Sequence, residues 1–392
     1  MFLKLDYNSS IIILGKNGER KKRMPLQFIL GSSGSGKSYH LYQEVIKKSM
    51  EHSDMNYLVI VPEQFTMQTQ KDLVTMHPRH GVMNIDILSF LRLAYRIFEE
   101  VGQKNQLILE DTGKSMMLRK VVAEHQKELI LFQSDVKKHG FISELKSLMS
   151  EIFQYSISEE DLERMEQLAE KRPMLQAKLK DIHVIYSSFK RMIHEKYITA
   201  EEILDVLIDV VDQSEILKHS VICFDGFTGF TPCQYKLLSK LCLIAKNVIV
   251  TDTIDPREKP NILDEEFKLF HTSKKTIQKL TKIADEVGVR VMPHIYAEQM
   301  NASDIPYRFR NSEALAMLEQ NLFRYPSKVY EKEQWDISIH SAKNATAEVM
   351  FCIRELKRLV REEKYRYMDI AIVTGDIETY GRIFRREMEK AG

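Results

Sequence analysis

The stretch LQFILGSSGSGKSYH at 26–40 restricts the fold of this chain more than any other. Apolar residues run into small ones, then into Gly-Lys-Ser, and a helical pattern follows. This reads as a buried strand over Leu26–Leu30, a loop over Gly31–Ser38 and a helix beginning near Lys37. The loop satisfies G-x-x-x-x-G-K-[ST] in full at Gly31, Gly36, Lys37 and Ser38. The chemistry explains the residue types. Glycines let backbone N–H groups turn inward around a β-phosphate, the helix adds its positive end, the lysine reaches the β/γ oxygens and the hydroxyl ligates Mg²⁺. Gly31, Ser32, Ser33, Gly34, Ser35, Gly36, Lys37 and Ser38 are therefore the expected nucleotide contacts, with ATP and Mg²⁺ as the expected ligands.

The surroundings of the loop predict a βαβ unit in a parallel sheet. A second strand is expected in NYLVIVP from 56, a third at Ile85–Leu88, and a helix after it with apolar Phe90, Leu91, Ala94, Ile97 and Phe98. From about 106 to 212 the pattern becomes long, charge-laced and helical, which predicts an all-helical insertion. Strands resume at Val221–Phe224, ending on Asp225, and at Val248–Thr251. Residues 256–330 read as helical and irregular, with a basic, aromatic-bearing stretch IPYRFRNSEALAMLEQNLFRYP. A strand, long helix and strand from WDISIH to IAIVTGD then predict the opening of a second α/β domain, one that the chain leaves incomplete. The expected divisions are an extension at 1–23, the first α/β domain at 24–105 and 213–330, the insertion at 106–212, and the second domain from 331 to 392. Met24 is an alternative start, which makes 1–23 an upstream segment.

Composition narrows the partners only a little. With 57 basic and 56 acidic side chains the formal charge is +1, so nucleic-acid binding would need a local patch rather than a basic field. Cys223, Cys233, Cys242 and Cys352 lack C-x2-C spacing and lie in apolar surroundings, as buried thiols in a reducing compartment do. No apolar run approaches a membrane span, and IIIL near the start is too short for a signal peptide. A cytoplasmic protein with no membrane contact is expected.

A loop of this kind becomes an ATPase when an acidic strand end holds the Mg²⁺ and a neighbouring carboxylate orients or deprotonates water. Asp225 supplies the first, and an equally simple reading makes it a turn cap. The next residue is Gly226, so the expected base is missing. Asp252 ends the other strand in VIVTDT, without a glutamine to sense a γ-phosphate.

The order of these segments, from MPLQFILGSSGSGKS through VIVPEQFTMQTQKDL, MNIDILSFLRLAYRIFEEVG, VICFDGFTGFTPCQYKLLSKL and NVIVTDTID to MDIAIVTGD, resembles the UvrD/Rep-like helicases. More narrowly, it is similar over 24–392 to the N-terminal part of the AddB family, one of the two components of bacterial AddAB helicase–nucleases. The resemblance implies RecA-like domains, an AddA-like helicase/nuclease partner in a heterodimer, and single-stranded and double-stranded DNA ends as substrate. It also implies recognition of Chi and a role in recombination and repair. Active helicases of this type carry a Glu after the metal-binding Asp, a Gln after the next strand's Asp, and an Arg where Gly375 stands. Their absence implies a protein that binds ATP and DNA with weak or no motor action. The family's iron–sulfur cluster belongs to a C-terminal nuclease domain that this stretch does not contain. For DNA, the resemblance points to Ser89, Phe90 and Arg92, while the strand-end loop PEQF adds Gln64 and Phe65. The helical spacing of Phe90 points instead to the core. Two other readings stand beside this one: a P-loop ATPase or phosphotransferase with an unidentified base, and a scaffold that has lost nucleotide binding.

Overall fold

The computed structural model describes residues 25–392 apart from 103–106, 137, 139, 156, 194–196, 200, 201 and 301–304. The expected extension at 1–23 and the alternative start at Met24 lie outside the described residues. The chain forms two compact units, 1–311 and 312–392.

In the first unit β1 (Pro25–Gly31), α1 (Lys37–Glu51), β2 (Asn56–Ile60), α2 (Thr66–Met76), β3 (Ile85–Leu88) and α3 (Phe90–Val101) follow in order. Next come β4 (Leu107–Leu109), α4 (Asp111–His125), α5 (Phe141–Gln154), α6 (Glu159–Leu168), α7 (Pro173–Ile193) and β5 (Tyr197–Thr199). The unit continues with α8 (Ile203–Val210), α9 (Glu215–Lys218), β6 (Ser220–Phe224), α10 (Pro232–Ile244), β7 (Asn247–Thr253), α11 (His271–Glu286), β8 (Arg290–Val291) and β9 (Ile295–Tyr296).

Seven strands form one sheet in the order β3-β2-β6-β7-β1-β8, with β9 also pairing β1, and every ladder is parallel. Helices cover both faces, which is why the strand sequences are apolar runs rather than alternating ones. Parity then sorts the side chains. Ile29, Val59, Cys223 and Ile249 pack against Leu41, Tyr42, Val45 and Ile46 of α1. Phe28, Leu30, Leu58, Ile60, Ile222, Phe224, Val248 and Val250 pack against α3, α8, α10 and α11 on the other face. The same parity decides where each acidic strand end points.

Helices α4 to α7 carry a core of their own around Val121, Leu145, Met149, Ile152, Ile185 and Phe189. Buried Asp181 holds the α4–α5 connection by accepting the backbone N–H groups of Ile130, Leu131 and Phe132 at 2.7–2.8 Å. The expectation of a wholly helical 106–212 needs one correction: β4 and β5 form a parallel two-stranded ladder, Leu107↔Tyr197 to Leu109↔Thr199. Three residues are too few to show a period of two in the sequence.

The second unit contains α12 (Glu313–Asn321), α13 (Ala345–Arg361) and α14 (Ile377–Ala391). The helix expected between two strands forms as α13 and packs on α14. The strands do not form: 335–342 and 370–374 carry no ladder, and Trp335, Ile339 and Val373 are exposed by 90% or more. A lone parallel strand has no partner for its N–H and C=O groups, so apolar sequence alone does not make one.

Candidate nucleotide-binding site

Strand β1 delivers the glycine-rich loop to the carboxyl edge of the sheet, and α1 begins at Lys37. Gly34 at φ +76° and Gly36 at φ +95° occupy the left-handed region that only glycine enters cheaply. A Cβ on Gly36 would meet nothing within 4 Å, so backbone conformation rather than crowding demands glycine there. The Lys37 ammonium donates to the carbonyls of Gly31 and Ser32 at 3.1 and 2.9 Å. Burial lowers its pKa from the usual lysine value, against the opposing charges of Glu298, Asp225 and Asp252. The expected contacts at 31–38 thus lie together on one loop at the end of β1.

The acidic strand end Asp225 faces α1 and is buried. Its Oδ1 accepts from Ser38 Oγ at 3.0 Å and from Thr251 Oγ1 at 2.6 Å, while Oδ2 accepts from the Tyr42 hydroxyl at 2.7 Å. The simpler reading of Asp225 as a turn cap does not describe these bonds, all of which come from side chains on α1 and β7. Ser38 and Asp225 form an all-oxygen donor pair beside the loop, of the type Mg²⁺ takes. The two glycines in left-handed conformation and this pair together fit a Mg²⁺–nucleotide.

Two residues without a sequence assignment complete the surroundings. Glu298, just past β9, accepts from the backbone N–H of Ser32 and, at 2.8 Å, from Ser32 Oγ. Its other carboxylate oxygen is buried without a hydrogen-bond partner. Arg308 lies against the opposite limb, with its N–H to Gly34 O at 3.4 Å and its guanidinium to Ser33 Oγ at 3.4 Å. No short-range pattern could have tied Glu298 to the loop. For Arg308 there was a signal, the basic aromatic stretch, but not its destination.

Asp252 has the opposite strand parity from Thr251. Burial pushes its carboxyl up to about 6, although hydrogen bonds from Ser273 and the Thr253 N–H and the charge of Lys37 draw it down. It stands beside the loop but does not bond to Ser38 or Asp225.

The DNA candidates separate into two groups. Gln64 and Phe65 are exposed on a single helical turn at 63–65, and Phe65 packs toward Gly226, whose Cβ position lies 3.7 Å from its ring. Phe90 is buried, its ring 5.8 Å from that of Phe224 and 5.3 Å from that of Phe227, so the core reading describes it. Ser89 is likewise buried, and its Oγ caps α3 by accepting from the Arg92 N–H at 3.3 Å. Arg92 is exposed and pairs with Glu63 at 3.3 Å. In α3 the buried stripe includes Leu93 rather than the expected Leu91, which is 37% exposed.

The profile of a family described as ADDB, N-terminal, matches residues 28–319, from β1 past the Glu298 and Arg308 contacts. The chain belongs to this family. A Lachnoclostridium phytofermentans protein, named as the AddB-type component of an ATP-dependent helicase/deoxyribonuclease, is 53% identical over 369 residues, covering 94% of this chain and 32% of its own length. Proteins of the same name from Clostridium tetani and Caldanaerobacter subterraneus are 35% and 36% identical over 94% and 92% of the chain, and 32% and 30% of their own. The chain therefore spans about a third of the length of these AddB relatives. Among its described residues no helix is long and apolar enough to cross a membrane.

Proposed function

We propose that this chain is the nucleotide-holding part of a degenerate helicase subunit, with ATP and Mg²⁺ bound in a RecA-like domain without efficient hydrolysis. One observation carries the reading: the loop and its Ser38–Asp225 pair are complete, yet the position after Asp225 is Gly226. Asp225 cannot itself serve as the base, because it accepts three hydroxyl hydrogen bonds that stabilise its charged form and make it a poor proton acceptor. Loop N–H groups and Lys37 would bind and orient the phosphates, Ser38 and Asp225 would hold the Mg²⁺, and the bound metal would neutralise phosphate charge.

The relatives' names support placing the chain in an AddAB-type complex, beside an AddA-like motor, on DNA ends undergoing repair in the cytoplasm. Chi recognition belongs to the same reading, with no particular residues assigned to it. Exposed Gln64, Phe65 and Arg92 are the residues through which this unit would meet single-stranded DNA, by hydrogen bonding, stacking and charge.

The test is ATP binding and DNA-stimulated hydrolysis by the purified chain, with Lys37→Ala as the control. Binding without turnover, abolished by the substitution, is expected. Hydrolysis at a motor's rate that depends on Lys37 would refute the reading in favour of an ATPase or phosphotransferase with another base. Absence of binding would leave only a scaffold.

A further inference from the structure

We infer that Tyr42 is a positioning residue of the Mg²⁺ site, fixing through its phenol which oxygen of Asp225 faces Ser38; this rests on the nucleotide-binding reading above. The placement follows from the fold. Ser38 and Tyr42 are four residues apart in α1, on one face of the helix, and that face covers the strand parity to which Asp225 belongs. The register Phe224↔Val250 sets Asp225 across from Thr251 on the neighbouring strand. One carboxylate is thereby held from two elements, α1 and β7.

The directions of the bonds are determined. An ionised carboxylate only accepts, so Tyr42 spends its one proton on Oδ2 at 2.7 Å. The Tyr42 oxygen is then left to accept from buried Thr69 at 3.3 Å, giving a chain Thr69→Tyr42→Asp225. The terminal torsion of an aspartate is broad and nearly two-fold, so a carboxylate held only at Oδ1 can exchange its oxygens. Tyr42 removes that freedom. A neutral phenol also does so without cancelling the negative charge, as an arginine or lysine at that place would. Burial, and then the charge of Asp225, keeps the phenol well above its ordinary pKa, so it remains the donor. Groups that orient metal ligands in this way contribute about 10–100-fold to metal affinity.

Tyr42→Phe tests this, because it keeps the ring in the α1 core and deletes only the hydroxyl. Nucleotide affinity of the full chain is measured calorimetrically, in Mg²⁺ and in EDTA. Wild type is expected to bind more tightly with Mg²⁺. In Tyr42→Phe that gain should fall by about tenfold while affinity in EDTA is unchanged. Thr251→Val should reduce the gain in the same direction, and Thr251→Ser should restore it. A wild-type gain in Tyr42→Phe, or equal losses with and without Mg²⁺, would overturn the positioning role and leave nucleotide binding standing. Wild-type affinity that Mg²⁺ does not strengthen would remove the metal reading and this inference with it.

Discussion

Replacing Asp252 by asparagine should make the sheet more stable, by an amount that depends on pH. Its carboxyl is buried and titrates at about 6 instead of the model-peptide value of 3.8. Because the folded value is the higher one, the folded protein binds the proton more tightly, so the ionised group opposes folding at neutral pH. One pKa unit corresponds to about 1.4 kcal/mol, which gives a cost of about 3 kcal/mol at pH 7 and about 1.5 kcal/mol at pH 5. The cost vanishes below the unfolded value. Asparagine keeps an oxygen for the Thr253 N–H, which Asp252 now accepts at 2.7 Å, and carries no charge. The single tryptophan, Trp335, belongs to the other unit, so its fluorescence would follow the wrong transition. Hydrogen exchange of peptides covering β1 and β7 is the appropriate assay. Wild-type protection should rise as pH falls from 7 to 5, after correction for intrinsic exchange, and Asp252→Asn should be better protected than wild type at pH 7 and less distinctly so at pH 5. Equal protection at both values, or a weaker variant at pH 7, would show that Asp252 is solvated or ion-paired and would refute the argument.

Two further changes probe the rest of the site. Gly34→Ala would place a Cβ 2.6 Å from Arg308 Cβ at a φ of +76°; with about 1–2 kcal/mol of backbone cost besides, ATP affinity measured by calorimetry should fall about tenfold with circular dichroism unchanged. Phe65→Ala should weaken single-stranded DNA binding, measured by fluorescence anisotropy, by about 1–3 kcal/mol with little change in stability. Phe90→Ala should instead cost about 3–5 kcal/mol of stability in urea titrations; the reverse pattern would exchange their assignments.

Legibility in the sequence followed burial and chain distance. Strands β1, β2, β3, β6 and β7 were readable because interior parallel strands are short apolar runs between turns, as in Leu26–Leu30. Edge strands β8 and β9 have two residues each and exist through pairing with β1, so no local pattern announces them. WDISIH and IAIVTGD show the converse, a strand-like composition without a ladder. At the site, the glycine-rich loop was legible because its chemistry is contiguous, and Asp225 because it ends a buried strand. Tyr42, Thr251 and Glu298 were not. Each is an ordinary residue locally and joins the site only through strand register or sheet order. Ser89 and Phe90 were placed on DNA by resemblance, but the packing of α3 uses them as a cap and a core ring.

The position of β1 has a consequence for biosynthesis. Its neighbours β7, β8 and β9 are all made more than two hundred residues after it, and α4 to α7 with their separate core emerge in between. At about 5–20 residues per second a ribosome needs roughly 10–40 s to span that gap. Throughout it, Leu26, Phe28, Ile29 and Leu30 have neither sheet partner available, an exposed apolar edge of the sort that chaperones bind and that aggregation exploits. The insertion can condense while this strand waits. The first secondary structure element to leave the ribosome is thus among the last to be locked in place, and the Glu298 contact to Ser32 closes only after both sides of β1 are occupied.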